Sequence, residues 1–163
     1  RTAPFKRTQL LDRKGQKEFS KHLLVAYSGK SHISSITNRK WTEDFLSGRT
    51  RAGWIKVNEI IHQLSIAINR LDWKRGAGLL QEEMALRRIL TPEALIPITE
   101  KMVAQAEREG CGARFAGAGA GGSIWVLGEI KNIRRLRKRW EQTLESVRDA
   151  RVLDCEVDPH GVK

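Results

Sequence analysis

Four glycines within six residues are the feature of this sequence that best suits phosphate chemistry. The stretch reads Gly117, Ala118, Gly119, Ala120, Gly121 and Gly122. Glycine has no Cβ, so it adopts positive φ angles and lets main-chain N–H groups approach a ligand closely. Successive N–H groups in such a turn form a concave site for an anion. The stretch therefore predicts a phosphate-binding loop.

The residues around this stretch separate it from two other phosphate-binding loops. The spacing satisfies G-x-G-x-x-G, but a dinucleotide-binding turn must open a helix, whereas the apolar residues 123–127 that follow predict a strand. A Walker A loop ends in Gly-Lys-Ser/Thr, which does not occur here. A plain hairpin connection is the alternative, but hairpins rarely need four glycines.

A second group of polar side chains falls in residues 28–38, which the sequence predicts to be a loop. Hydroxyl, imidazole and amide groups gather there on Ser31, His32, Ser34, Ser35 and Asn38. These groups suit hydrogen bonds to a sugar, and a solvated loop with Ser and Asn turn chemistry is the alternative. His32 has no evident carboxylate partner in the sequence, so it is not assigned as a catalytic base, and no other residue of this chain is assigned as catalytic.

The elements that must position these groups follow from the spacing of apolar residues. Short apolar runs predict strands over residues 22–27, 113–116, 123–127 and 152–157. Helical spacing predicts amphipathic helices over residues 57–71, from residue 73, and over 130–147. Another helix is predicted to begin with Thr91 as N-cap and Pro92 in first position, and to stop at Gly110. We expect an α+β fold, a small and mainly antiparallel sheet with helices packed on one face.

The glycine stretch also carries a family resemblance. Residues 111–128, with Gly112, Ala113, Arg114 and Phe115 leading into the loop, resemble the third conserved motif of the GHMP kinases. This family includes galactokinase, homoserine kinase, mevalonate kinase and the heptose-phosphate kinases. Ala120 departs from the motif, since the family usually has glycine there. A weaker similarity to heptose-phosphate kinases extends over residues 20–157.

The resemblance implies a ferredoxin-like C-terminal domain of a kinase that uses ATP and Mg²⁺ to phosphorylate a sugar or sugar phosphate. Residues 1–21 would be a basic lead-in segment and residues 22–163 the domain itself. The family's ATP-binding motif, Pro-x-x-x-Gly-Leu-x-Ser-Ser, occurs nowhere in this chain. We therefore expect an excised piece whose partner is a missing N-terminal kinase domain, and which is inactive without it.

The resemblance also implies roles for individual residues. The loop of residues 117–122 would contact the ATP phosphates, and the substrate would be bound by His32, Ser34, Ser35, Asn38, Arg87 and Arg88. A guanidinium can hold a sugar phosphate through two hydrogen bonds. The alternative for Arg87 and Arg88 is pairing with nearby glutamates on the surface. Arg114 could contact a phosphate or form a surface ion pair.

The net charge of +11 keeps a second class of function open, a ferredoxin-like nucleic-acid-binding module. The densest basic run, in residues 131–139, alternates with apolar residues and is typical of the solvated face of a helix. A sheet that binds RNA needs exposed aromatic residues, and neither Phe115 nor Trp125 sits in such a pattern. The sequence thus argues against nucleic acid as a partner. A domain that only binds a small metabolite fits the same residues.

The remaining features bear on location and assembly. No apolar run approaches the roughly 20 residues that span a bilayer, so we expect no membrane segment. Cys111 and Cys155 have no metal-ligand spacing with any histidine, so no metal site is assigned and a reducing, cytoplasmic location is predicted. Apolar surface that once met an absent domain would be exposed or covered by a homodimer.

Overall fold

A computed structural model of the chain describes residues 8–31 and 34–159, with the side chains of residues 34–36 outside the description. The helices are α1 (Arg13–Lys21), α2 (Ser34–Leu46), α3 (Arg51–Asn69), α4 (Trp73–Leu90), α5 (Pro97–Arg108) and α6 (Ile130–Leu144). The strands are β1 (Leu23–Tyr27), β2 (Gly112–Phe115), β3 (Ser123–Leu127) and β4 (Arg151–Leu153). A short 3₁₀ turn, Pro92–Ala94, separates α4 from α5.

The four strands form one antiparallel sheet in the order β2-β3-β1-β4. The register pairs Leu23 with Leu127 and Tyr27 with Ser123, while Val25 lies opposite Leu153. Strand β2 pairs with the other edge of β3, so the predicted glycine loop joins two neighbouring strands. The chain order of strands and helices gives the ferredoxin-like arrangement, and the predicted α+β class with a small antiparallel sheet is confirmed.

One face of the sheet carries the larger hydrophobic core. Residues on alternate positions of β1, β2 and β3 share this face because they are opposite one another in the register. They are Leu24, Ala26, Ala113, Phe115, Ile124 and Val126, and each is at most 2% exposed. Met102 from α5 and Leu136 and Trp140 from α6 pack against them. The indole N–H of Trp140 donates to the carbonyl of Met102 at 3.2 Å, which satisfies its buried donor.

A second, smaller cluster fixes α3 and α4 to the end of the sheet away from the glycine loop. Leu64 from α3 and Leu80 from α4 meet Leu127 at the end of β3. The α1 helix joins here, because Phe19 stacks on Trp73 with ring centroids 5.7 Å apart. None of the apolar patterns in the sequence predicted α1, whose residues are mostly charged or polar.

Several predicted element boundaries were wrong. The segment predicted as a polar loop is helical from Ser34 onward, so α2 includes Ser34, Ser35 and Asn38. The helix predicted to start at Pro92 starts instead at Pro97, after the 3₁₀ turn. Pro97 explains the late start of this helix, since a proline inside a helix lacks an N–H and clashes with the preceding turn. The helix predicted over residues 57–71 begins earlier, at Arg51, and the last strand, predicted over residues 152–157, covers only Arg151–Leu153.

Candidate phosphate-binding loop

The glycine loop adopts the backbone that its composition predicts. The φ angle is positive at Gly117 (65°), Gly119 (77°), Ala120 (57°), Gly121 (137°) and Gly122 (69°). Side chains disfavour this region because Cβ approaches the following carbonyl oxygen. Ala120 is therefore the one residue of the loop that adopts such a conformation with a Cβ, at the position where the sequence departs from the GHMP motif.

Two neighbouring segments hold the loop in place. The amide of Ala120 donates to the carbonyl of Ala94 at 2.6 Å, and the amide of Gly122 donates to the carbonyl of Lys30 at 2.7 Å. A Cβ on Gly119 would lie 2.5 Å from the Ala94 oxygen, and one on Gly121 would lie 2.7 Å from the Lys30 oxygen. The loop thus packs directly on the backbone of the 3₁₀ turn and of the segment after β1.

Four amides of the loop are left without an acceptor in the part of the chain that the structure describes. They belong to Gly117, Ala118, Gly119 and Gly121. A Cβ on Gly117 or Gly122 would meet no described atom within 4 Å, so this side of the loop is open toward the described part of the chain. N–H groups that are held in place and lack an internal acceptor suit an anion.

A lysine that the sequence reasoning missed lies beside the loop. Lys30 is exposed, and its Cβ would be 3.4 Å from a Cβ placed on Gly121. Its ammonium forms no ion pair with any described carboxylate. The signal was available, since Lys30 follows the Ser-Gly turn after the first predicted strand, but only the sheet register brings that turn to the loop.

Arg87 lies behind the loop and is buried, with 1% of its side chain exposed. Its guanidinium carbon lies 4.4 Å from the ring centroid of Trp41, 4.5 Å from that of Trp54 and 5.0 Å from that of Phe115. We call these three rings the aromatic cage. Phe115 also borders the loop, because its ring lies 3.0 Å from where a Cβ on Gly119 would be.

The charge of Arg87 is only partly balanced. Glu83, which is fully buried, lies 3.8 Å from Arg87 Nε and accepts a hydrogen bond from Arg114 Nε at 3.2 Å. Burial lowers the pKa of Arg87 to about 10, against the attraction of Glu83. Among the described residues, Arg87 Nε and Nη1 and Glu83 Oε2 have no hydrogen-bond partner. The predicted contact between Arg87 and substrate stays a prediction.

Arg88, the next residue, links α4 to α5. It donates to Glu100 at 2.8 Å and to Glu107 at 2.9 Å, both on α5. The hydrogen bond from Glu100 raises the pKa of the Arg88 guanidinium. The pairing with glutamates that the sequence left open is therefore present at Arg88, although with α5 rather than with its own helix.

The other predicted substrate residues lie on or before α2. His32 is outside the described residues, as are the side chains of Ser34 and Ser35. Asn38 is exposed on α2, where its carbonyl accepts a hydrogen bond from the Thr42 hydroxyl at 2.9 Å.

A hydrogen bond ties α2 to the turn that anchors the loop. Trp41 Nε1 donates to Glu93 Oε1 at 2.9 Å, and Lys40 pairs with the same carboxylate at 3.5 Å. Glu93 precedes Ala94, whose carbonyl holds the loop amide of Ala120. The helix that carries Asn38 is therefore connected to the glycine loop through two residues.

Across residues 8–31 and 34–159, no group of three or more His, Cys, Asp or Glu is placed to hold a metal. Cys111 is buried, and burial raises the pKa of its thiol to about 12, while Cys155 is exposed. None of the described helices has the length and apolar character needed to cross a bilayer.

Comparison with known proteins gives structural matches. No protein-family profile and no curated protein sequence matches the chain. Phosphomevalonate kinase of Streptococcus pneumoniae, in complex with phosphomevalonate and AMPPNP, superposes with a TM-score of 0.66 at 16% identity. Mevalonate kinase of L. major, in complex with R-mevalonate, gives 0.62 at 16% identity. Methanococcus jannaschii mevalonate kinase gives 0.56 at 20% identity.

The fold is that of a GHMP kinase C-terminal domain. The matches cover 74%, 80% and 86% of this chain but only 36%, 41% and 41% of the three solved chains, in the same order. This chain therefore spans about two fifths of the length of the kinases that it resembles. The resemblance to the GHMP kinases seen in the sequence is confirmed for the fold.

Proposed function

We propose that this chain is the C-terminal domain of an ATP-dependent kinase that phosphorylates a hydroxyl of a small molecule, a sugar or sugar phosphate. The observation that carries the proposal is the glycine loop, with four amides that find no acceptor among the described residues, on a fold shared with kinases. One of those kinases was solved with AMPPNP, an ATP analogue. The alternative function, an RNA-binding sheet, needs exposed aromatic residues and has no support here. Phe115 is fully buried and Trp125 packs against the second, smaller cluster.

The loop would act through its backbone. Phosphoryl transfer depends mainly on positioning and on stabilising the charge of the phosphoryl oxygens. The amides of Gly117, Ala118, Gly119 and Gly121 supply donors, and Lys30 supplies a positive charge beside them. Because Ala94 and Lys30 hold the loop through its other amides, little reorganisation is needed when phosphates bind. ATP with Mg²⁺ would bring the phosphoryl group and neutralise part of its charge.

The acceptor side of the site would lie along α2. Ser34, Ser35 and Asn38 belong to this helix, which Glu93 connects to the loop. We propose that His32, in the preceding segment, completes the sugar contacts. A heptose phosphate is the first candidate acceptor and galactose the second. Arg87 would bind the acceptor phosphate only if the aromatic cage opened.

The proposal includes a partner for the chain. Residues 22–163 would form the C-terminal domain and residues 1–21 its basic lead-in, with the nucleotide bound between this domain and an N-terminal kinase domain. The enzyme would be cytoplasmic, where ATP is available. Alone, the 163-residue chain would not turn over, because it supplies only one wall of the nucleotide site.

An assay of phosphoryl transfer tests this proposal. The 163-residue chain and a longer product with the N-terminal domain are incubated with ATP, Mg²⁺ and a panel of sugars, sugar phosphates, mevalonate and phosphomevalonate. We expect turnover of a sugar or sugar phosphate by the longer product only. Normal turnover by the 163-residue chain without the N-terminal domain would refute the two-domain proposal. Activity with mevalonate and with no sugar or sugar phosphate would refute the proposed class of acceptor.

A pair of glycine variants in the longer product links activity to the loop. Gly121→Ala places a Cβ against the Lys30 carbonyl in a left-handed conformation, so we expect activity to fall at least about tenfold. Gly78→Ala is the control, since a Cβ at this helical position meets no described atom within 4 Å. Equal activity of the two variants would remove the loop from the proposed mechanism.

A further inference from the structure

Most basic residues in the densest basic run of the sequence form ion pairs in the fold. Helix α6 carries six Lys and Arg residues, but four of them lie within 4.0 Å of a carboxylate. Arg135 and Arg139 both pair with Glu109, at 2.9 and 3.0 Å. Arg134 and Lys138 are the exposed members of the run that form no ion pair with a described acid. The densest basic run is thus largely neutralised within the fold.

Helix α1 shows the opposite arrangement. Arg13, Lys14 and Lys17 are exposed and have no carboxylate within 4.0 Å among the described residues. Lys21 continues the row one turn further on, 60% exposed and paired with the half-buried Glu18. Residues 14, 17 and 21 share one helix face, because positions three and four apart are neighbours on the surface. The sequence of residues 1–21 contains seven Lys and Arg against two acids, a surplus of five.

The α1 helix and the C-terminal tail enclose a groove of about 800 Å³. The tail is fixed to the helix, because the amide of Val157 donates to the Ser20 hydroxyl at 3.0 Å. The walls are the basic residues of α1 on one side and Val157 and Pro159 on the other, with Glu156 the single acid among the described lining residues. The basic groove, as we call it, is therefore open and strongly positive on one side.

The basic groove is separate from the glycine loop. His22, directly after α1, contacts the Gly128 carbonyl at 2.8 Å, whereas Ser28 donates to the Gly122 carbonyl at 2.9 Å. These two contacts lie at opposite ends of β1, which is about 15 Å long at 3.3 Å per residue. A ligand in the groove would not occupy the proposed phosphate site of the kinase.

We propose that the basic groove binds the phosphate backbone of single-stranded nucleic acid. The cations from Arg13 to Lys21 extend along about 12 Å of helix rather than converging on one point, which suits a repeating anion. A basic domain with Lys and Arg aligned along a helix carries the electrostatic footprint of a nucleic-acid-binding protein. The pI of about 10.2 agrees with it.

The same helix argues against other partners. Its one large apolar side chain, Phe19, is stacked on Trp73, so α1 has no apolar face to insert into a membrane and no free ring on which a base could stack. Binding would therefore be independent of base sequence and dominated by counterion release. The sequence evidence against nucleic-acid binding concerns the sheet and residues 131–139. Neither of these is the surface proposed here.

Fluorescence anisotropy with a labelled 20-nucleotide oligo-dT tests the proposal on the full 163-residue chain. Contacts to three or four phosphates predict a slope of log K against log salt of about −2 to −3. The Lys14→Glu, Lys17→Glu double variant should weaken binding at least about tenfold and reduce the slope by about 1.4, for two lost contacts. The matched control is Arg134→Glu, Lys138→Glu, which makes the same change in net charge on α6 and should bind nearly as the parent does.

Three outcomes would overturn the proposal. Equal weakening by the two double variants would show that net charge, not the groove, attracts the oligonucleotide. Tighter binding to a poly-glutamate peptide, or to vesicles with anionic lipids, would assign the groove to another class of partner. Circular dichroism checks that each variant folds, and Lys14→Gln, Lys17→Gln replaces the glutamate pair if it does not.

Discussion

At the scale of single residues, Ala120 is the residue of the loop whose side chain least suits its backbone conformation. Its φ of 57° places a Cβ in the left-handed region, which costs a non-glycine residue roughly 1 to 2 kcal/mol. Glycine would remove that cost but would increase the entropy of the unfolded chain. The two effects oppose each other, and the first is larger.

We expect Ala120→Gly to raise the free energy of unfolding by about 0.5 to 1 kcal/mol, measured by urea denaturation. Ala118→Gly is the control, because Ala118 is two residues away, is buried and lacks a positive φ. That change should lower the free energy of unfolding by about 0.5 to 1 kcal/mol. Destabilisation of both variants to the same extent would show that Ala120 is not strained.

At the scale of elements, the aromatic cage connects α2, α3 and α4 to the end of β2. Trp41, Trp54 and Phe115 come from α2, α3 and β2, and Arg87 on α4 fills the space among them. If Arg87 is structural, its role is to fill the cage and to face Glu83. Glu83 keeps Arg114 as a partner when Arg87 is removed.

This view predicts different costs for two substitutions at the cage. Arg87→Ala leaves a cavity among three rings and should lower the free energy of unfolding by about 2 to 5 kcal/mol. Arg87→Met fills most of the space without burying a charge, and should cost less than about 1.5 kcal/mol. Chemical denaturation measures both. An equal loss in the two variants would mean that the guanidinium charge, not its volume, holds the cage.

The join between α5 and α6 gives a pH-dependent prediction. A hydrogen bond from Arg135, assisted by Arg139, holds the pKa of Glu109 below its ordinary value of 4.5. A carboxyl with a lowered folded-state pKa stabilises the fold above its ordinary pKa, and that contribution disappears as the pH falls through the folded value. The ion pairs at Glu109 therefore stabilise the fold at neutral pH and not in strong acid.

Glu109→Gln should lower the free energy of unfolding by about 0.5 to 1 kcal/mol at pH 7, less in high salt. The difference from the parent chain should shrink as the pH falls below 4.5. Glu129→Gln is the control, because Glu129 is 44% exposed and lies 3.6 Å from Lys131. A difference at Glu109 that persists unchanged in acid would exclude an ionic origin.

The sequence predicted most elements and failed where a distant contact decides the structure. Apolar spacing predicted the strands and the long helices, since those residues carry the cores. It did not predict α1, in which Phe19 is the only large apolar residue and is held by Trp73 from α4. The helical start of α2 was missed because seryl residues favour turns locally. The glycine pattern predicted the loop. The position of Lys30 beside the loop depends on the sheet register, and the burial of Arg87 depends on aromatic rings from three elements, so neither could be predicted from the sequence.

At the scale of the whole molecule, the chain combines two positive surfaces at opposite ends of one sheet. The glycine loop offers backbone amides and Lys30, and the basic groove offers a row of lysines. The first follows from a fold shared with kinases, and the second from Arg13, Lys14 and Lys17, which have no carboxylate partner among the described residues. An anion added to this chain could bind at the glycine loop or in the basic groove. An experiment on the loop therefore needs a variant in which the basic groove has lost its positive charge.

The most direct test of the central claim is an NMR titration of the ¹⁵N-labelled Lys14→Glu, Lys17→Glu chain with inorganic triphosphate. We predict amide shifts that saturate at Gly117, Ala118, Gly119 and Gly121, with small changes elsewhere on the sheet. Binding can be weak, because the chain provides only one wall of the proposed site. Saturating shifts elsewhere with an unperturbed loop, or no shifts at all, would contradict the assignment of residues 117–122 as a phosphate-binding loop.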